Sequence, residues 1–400
     1  MSCRRCVVLV PAPYQGHITP MLQLGGILQS RGFSIVVAHT EYNAPDPLNH
    51  SSFAFLPLPD EVAECDKAFS FTNVVNLLDT ININCKLPFK DYLVQLMENV
   101  ELHSRAHYSV IDLRSENCLP LPECQMEEPV PDFYPFKFRD MPVPLTNEIS
   151  DKSCAIIWNT LDELEHHHLS IIMKDFHVPI FSIGPFHKMA PMSKTSLIEE
   201  DNNCIEWLDK QAPNSVLYVS LGSITSINEK ELIETAWGLI GSEQPFLWVI
   251  RDNSVNGADF NPQLPDGFEE IIGERGCIVK WAPQKKVLGH SAVGGFWTHC
   301  GWNSTLESIS EGVPMICRPD FGDQLINAKY VTDIWNVGLE MGSPVDRENV
   351  EKILMVGVEA KNMRKKAADM KHKVQNSVKE EGASFQCLNK LTEFISMLSS

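Results

Sequence analysis

Short runs rich in branched and aromatic residues alternate with helix-like apolar spacing along most of this chain, and no other feature constrains its fold as much. The alternation is that of βαβ units, in which parallel strands share a sheet and crossover helices cover its faces. In the first half the strand-like runs are CVVLVPAP (6–13), SIVVAHT (34–40), CAIIWN (154–159) and IFSIGP (180–185), with helical spacing near 18–31, 87–103 and 161–176. In the second half they come faster: SVLYVSLGS (215–223), PFLWVIR (245–251), GCIVK (276–280), GGFWTHC (294–300) and PMICRP (314–319). Five such units fit one doubly wound α/β domain.

A chain of 400 residues exceeds what one hydrophobic core usually holds, so two domains are expected. The stretch FHKMAPMSKTSLIEEDNN (186–203) lacks periodicity and reads as a linker between a domain of residues 1–190 and one of residues 204–383. A ligand cleft is expected between the two. The amphipathic SFQCLNKLTEFISML (384–398) could pack on either domain. Residues 104–150 are hard to place, because their prolines can continue neither a helix nor a central strand.

A formal charge of −19 excludes nucleic acid and acidic membrane surfaces as natural partners, so any phosphate must be met by local devices. No stretch approaches the roughly 20 apolar residues of a membrane helix, and the start of the chain makes no convincing secretion signal. A cytoplasmic monomer is the expectation. Most of the twelve cysteines should then be free core thiols, and the Cys3/Cys6 pair, placed before the first strand, makes a poor redox motif. His166, His167 and His168 point in different directions on a helix and read as a solvated face rather than a metal site.

The segment FWTHCGWNSTLESISEGVPMI (296–316) begins and ends like a buried strand but carries His299, two glycines, Trp302, Asn303 and Ser304 in its middle. Ligands of open α/β sheets bind at the carboxyl ends of strands, where this strand runs through Gly301 into a helix expected to start near Asn303 or Ser304. The free amides and positive end of such a helix suit an anion, and a diphosphate would fit. A plain strand–turn–helix with polar caps explains the same residues. Ser304-x-x-Glu307 even has the form of a capping box, which would occupy Glu307 structurally. Trp281 and Trp302, taken singly, are as well explained by the core.

From Trp281 to Gln324 the 44 residues WAPQKKVLGHSAVGGFWTHCGWNSTLESISEGVPMICRPDFGDQ resemble, without a gap, the signature box of plant secondary-product glycosyltransferases. These are UDP-sugar-dependent enzymes of the GT-B fold, two Rossmann-like domains facing a central cleft. The resemblance implies that Trp281 stacks on uracil while Ala282 and Gln284 help hold base and ribose. Glu307 would take the ribose hydroxyls. His299, Asn303, Ser304 and Ser223 would hold the diphosphate. Trp302, Asp323 and Gln324 would line the sugar, and glutamine at the box's last position favours UDP-glucose as donor. Whether Glu307 caps its helix or binds ribose stays open.

In the first half PAPYQGHITPMLQLGGIL resembles the family's amino-terminal motif, which makes His17 the general base. A histidine on a glycine-flanked loop at a strand's carboxyl end, with an ordinary pKa near 6.5, can accept a proton at cytosolic pH. The implied reaction inverts the anomeric centre: the acceptor oxygen attacks, UDP leaves from the opposite face, and no metal or cofactor takes part. Relatives add an aspartate that orients the histidine, and Asp112 is the best-placed candidate here. That passage is short, however. A strand–helix–strand unit of roughly 30 or more residues is missing near 104–120.

The contraction raises a rival reading, a UDP-sugar-binding protein with little or no transferase activity. A nicotinamide-dependent oxidoreductase fits worse, since no G-x-G-x-x-G follows the first strand. The acceptor side is the least legible. Apolar pieces at 53–59 and 133–138 suggest only a small lipophilic molecule presenting a hydroxyl or carboxyl, such as a flavonoid, terpenoid or hormone.

Overall fold

The computed structural model describes residues 5–62, 71–98, 135–137 and 154–398, apart from 175, 192–193, 253, 257–263, 343 and 355–356. The chain divides into two compact units. The first takes Met1–Leu119, Pro144–Leu197 and Asn376–Ser400; the second takes Pro120–Val143 and Ile198–Gln375.

In the first unit β1 (Cys6–Leu9), β2 (Ser34–Thr40) and β3 (Ala54–Leu58) form a parallel sheet in that order. The helix Gln15–Ser30 crosses from β1 to β2 and buries Ile18, Leu22, Ile27 and Leu28 against Ile35 and Val37. β4 (Ile156–Trp158) and β5 (Ile180–Ser182) form a separate parallel pair joined through the helix Asp162–Ile172. The helix expected at 87–103 starts much earlier, spanning Phe71–Glu98.

Two expectations change here, and one left open is decided. The apolar piece 53–59 is not a pocket lining but strand β3, with Phe53 and Phe55 packed on the core. The helix Ala383–Leu398 joins this unit rather than the other: Leu388 and Leu391 enter its core, and Ser384 Oγ donates to the Gly184 carbonyl at 2.7 Å. The aperiodic stretch after residue 185 contains a short helix, Phe186–Met189, whose Phe186 is buried in the same core.

The second unit contributes β6 (Val216–Ser220), β7 (Ile227–Asn228), β8 (Phe246–Val249), β9 (Val255–Asn256), β10 (Gly276–Val279), β11 (Val293–Thr298), β12 (Met315–Cys317) and β13 (Gly338–Glu340). All but β7 and β9 form one parallel sheet in the order β10-β8-β6-β11-β12-β13, one strand more than the five units expected. Its core holds Leu217, Val219, Phe246, Trp248 and Trp297 beneath Leu232 and Leu239 of the helix Glu229–Gly241. The chain winds outward from β6 through β8 to β10, then returns to the other side of β6 with β11. The switch point therefore lies between β6 and β11, where the crossover helices diverge and leave a crevice at the strands' carboxyl ends.

The thiols described are free: Cys85, Cys204, Cys300 and Cys317 are buried, whereas Cys154 is exposed. Cys6 opens β1, while Cys3 lies outside the described residues. The three histidines do not make one solvated face, since His166 pairs with Asp162 at 2.8 Å in solvent while His168 is buried. Among the described residues no helix is long and apolar enough to cross a membrane.

Candidate functional site

The residues singled out in the second half lie past the carboxyl ends of β6, β10, β11 and β12. Past the end of β6, Gly222 and Ser223 form a turn; past the end of β11 come His299, Cys300 and Gly301. Gly222 has φ of +72°, and a Cβ there would stand 2.4 Å from His299 Cε1. A Cβ on Gly301 would likewise meet His299 Nε2 at 2.5 Å. The imidazole is thus clamped between two backbone positions that only glycine can occupy.

His299 is half-buried, and its Nδ1 is enclosed without a hydrogen-bond partner among the described residues. Burial, then the nearby guanidinium groups of Arg251 and Arg318, pull its pKa down to about 4. At neutral pH it is therefore an uncharged ring carrying one N–H, a directed donor rather than a cation.

The following helix begins earlier than expected, at Trp302, and runs to Glu311 with Gly301 as its N-cap. Gly301 has no side chain, so the N-cap position offers no side-chain acceptor to the amide-rich start of the helix. The capping-box reading of Ser304 and Glu307 is overturned. Both lie inside the first turns, both are buried, and both are held by one carboxamide. Gln284 Nε2 donates to Ser304 Oγ at 2.9 Å and to Glu307 Oε2 at 2.8 Å. Gln284 is fixed from its other end by Tyr218 Oη at 3.2 Å, and Tyr218, stacked on Phe296, is held protonated by burial. Tyr218 is a supporting residue the sequence reading missed. Its only signal was a polar atom on a central strand, where it needs a partner.

Trp281 and Ala282 lie between β10 and the helix Gln284–Leu288. The Trp281 carbonyl accepts from Asp201 N–H at 2.9 Å, which pins the loop below the indole, and Ala282 is buried. Trp302 is half-buried with its ring 6.3 Å from Trp335. Trp335 in turn meets Tyr330, and Tyr330 meets Phe136 at 5.4 Å. Phe136, from the apolar piece expected to line the acceptor pocket, instead supports this aromatic row in the second unit.

Asp323 sits at the N-cap position of the helix Gln324–Lys329 with no side-chain bond to its amides, and its carboxylate instead accepts from Asn327 Nδ2 at 3.0 Å. The same Asn327 amide donates to the Cys300 carbonyl at 2.9 Å, which steadies a non-glycine residue at φ of +65°. Sequence reasoning missed Asn327, although its place four residues after Asp323 on one helix face was a usable signal. Gln324 is buried, with its carbonyl oxygen accepting from Asp320 N–H at 2.9 Å, so its amide end is the part turned to other uses.

In the first unit His17 does not sit on a loop. It lies in the first turn of the helix that follows β1, exposed, with its ring 6.4 Å from that of Tyr14. That turn is anchored: Gln15 Nε2 donates to Thr19 Oγ1, Thr19 Oγ1 to the Thr195 carbonyl at 3.0 Å, and Leu197 N–H to Gln15 Oε1 at 2.7 Å. Asp112 lies outside the described residues, as does most of the shortened passage around it. Among the described residues no group of three or more His, Cys, Asp or Glu is arranged to hold a metal ion.

The parallel sheets and their crossover helices define a doubly wound α/β protein whose singled-out polar residues gather at the strands' carboxyl ends. Residues 193–371 match the family profile described as UDP-glucoronosyl and UDP-glucosyl transferase. The chain is 47% identical to UDP-glycosyltransferase 76E1 of Solanum lycopersicum, across 99% of this chain and 94% of that protein. It is 40% identical to the flavonol 3-O-glucosyltransferase UGT76E12 of Arabidopsis thaliana, across 99% and 98%. Among solved structures it resembles Phytolacca americana UGT2 complexed with UDP-2fluoro-glucose and pterostilbene, with TM-score 0.78 at 24% identity over 98% and 100% of the chains. Os79 from O. sativa in complex with UDP gives TM-score 0.78 at 23% identity, over 97% and 100%. The fold is GT-B, and the chain belongs to the plant UDP-glycosyltransferase family. The alignment with the tomato relative runs over 448 residues, more than the 400 of this chain, so part of that relative has no counterpart here.

Proposed function

We propose that this protein transfers glucose from UDP-glucose, with inversion, to a hydroxyl or carboxyl of a small lipophilic acceptor in the cytosol. The observation that carries the donor half is the Gln284 bridge: one carboxamide orders Ser304 and Glu307 on the first turns of a helix left uncapped beside neutral His299. Ordered acceptors suit ribose hydroxyls, while the amides of the helix start, the His299 N–H and the Ser223 and Asn303 side chains suit the diphosphate. Trp281 offers its face to uracil, and Trp302, Asp323 and the amide end of Gln324 address the sugar. The glycosyltransferases named above, one a flavonol glucosyltransferase and one solved with a fluoro-glucose nucleotide and pterostilbene, support this choice of donor and acceptor class.

In this reading His17 removes the acceptor proton as its oxygen attacks the anomeric carbon. The bond to the diphosphate breaks, and its electron pair stays on the departing phosphate oxygen. Donors already oriented at the helix start stabilise that charge without reorganising. The reaction needs no metal, and Asp112 is the proposed partner that orients His17.

A second reading, a UDP-sugar-binding protein with impaired transfer, is favoured by one observation: the aligned length shows that part of a relative is absent here. Calorimetry with UDP-glucose followed by a turnover assay on flavonols, terpenoids and hormone-like acids separates the two. Binding with transfer is the expected result; binding with no transfer to any acceptor would leave the second reading standing.

A further inference from the structure

One charged group near the donor site is left without a role. Arg251 follows β8, the strand beside β6, and lies half-buried. Its Nη2 donates to the Thr225 carbonyl at 2.5 Å, and among the described residues no carboxylate pairs with it. Burial alone pulls its pKa down to about 10. Arg318, the other guanidinium near His299, is different: Glu231 grips it through two bonds of 2.7 and 2.9 Å, and Asp320 stands 3.8 Å away.

Arg251 also lines a cavity of about 20 Å³, together with Gly222, Thr225 and Ser254. Thr225 is 1% exposed, and its Oγ1 has no hydrogen-bond partner among the described residues. Gly222, on the wall of that cavity, is the residue whose backbone presses on the His299 ring. Among the described residues, a cation with no carboxylate partner and a hydroxyl with no hydrogen-bond partner therefore line one cavity beside the turn that carries Ser223. Withdrawing a cation from water without a counter-charge destabilises a fold, so such a group is expected where a ligand brings the missing charge.

We propose that Arg251 is a positioning residue for the departing nucleotide, its charge set behind the Gly222–Ser223 turn and His299 so as to favour UDP over UDP-sugar. The proposal rests on the donor-site reading above. When the glycosidic bond breaks, the electron pair left on the phosphate raises the nucleotide's negative charge by one. A fixed cation behind the turn interacts more strongly with the product, and with the transition state that resembles it, than with the intact donor.

The test compares the wild-type chain with Arg251→Met and Arg251→Lys by calorimetry against UDP and UDP-glucose, with a melting curve of each ligand-free protein. Arg251→Met should weaken UDP about tenfold but UDP-glucose only about two- to threefold, as expected for one charge acting through a partly screened path. Arg251→Lys should restore most of the UDP affinity. The ligand-free Met variant should melt no lower than wild type, because an unpaired charge has been removed. Equal weakening of both nucleotides with a lower melting temperature would mean an ordinary structural arginine and overturn the proposal. So would unchanged binding of UDP. If the wild-type chain itself binds neither nucleotide, the donor-site reading has failed, and the proposal with it.

Discussion

The two units differ in how their chemistry is built. In the second, a contiguous box of sequence and two residues outside it hold one another: Tyr218 fixes Gln284, Gln284 fixes Ser304 and Glu307, and Asn327 ties Asp323 to Cys300. In the first, His17 stands exposed on an anchored helix turn, and its expected partner Asp112 lies outside the described residues. A site for an invariant nucleotide can be written once, in adjacent residues. A site for a variable acceptor is spread over loops, and its residues are legible only when assembled.

That contrast can be broken most directly at His17. His17→Ala should reduce transfer by about 10²–10⁴-fold while leaving UDP affinity unchanged, measured by product formation and calorimetry on the same preparation. A variant that keeps its rate removes His17 from the reaction.

Gly222→Ala probes the second unit where it is tightest. The new Cβ would enter the His299 ring at a positive φ, so strain of about 1–3 kcal/mol is expected. UDP binding should weaken by about 10- to 100-fold, with a lower melting temperature. Normal UDP affinity would show that the clamp on His299 does not matter to the nucleotide.

Glu307→Ala should weaken UDP by about tenfold, the scale of a lost charge-assisted hydrogen bond. Thymidine diphosphate, which lacks the ribose 2′-hydroxyl, should lose less. If both nucleotides weaken equally, Glu307 serves Gln284 rather than ribose.

The smallest effect is a pH dependence. The folded pKa of His299, about 4, lies below the ordinary value of 6.5, so the folded state resists a proton that the unfolded chain accepts. Its contribution to stability is complete above pH 6.5 and is lost as pH falls from there to about 4. Melting curves of wild type should decline more across that window than those of His299→Gln. Parallel declines would show that the ring is not the group responsible.

Much of this was readable in the chain, and the misses have physical causes. Strand β3 escaped because Pro57 lies inside it; the sheet order β1-β2-β3 places it at an edge, where a missing N–H costs little. Strand β13 escaped because three residues at the edge of the six-stranded sheet carry too little pattern. The capping box misled because a serine and a glutamate three residues later fit a helix start in sequence, whereas Gly301 had already started the helix and left both side chains to Gln284. The box residues themselves were read by resemblance, and their mutual hydrogen bonds could not be. Asp112 was chosen on position alone, and position says little where a passage has been shortened.

The helix Ala383–Leu398 has a bearing on how the chain comes into being. Its Leu388 and Leu391 complete a core begun by Leu9, Ile18 and Val37, so the earliest segment to leave the ribosome waits for one of the latest. The second unit, whose described strands all lie between them, can close while the unit bearing His17 is still unfinished. Premature termination a few residues upstream of Leu388 would spare every residue of the donor box and still leave the histidine on an unsealed scaffold, a lesion invisible to any inspection of the motif.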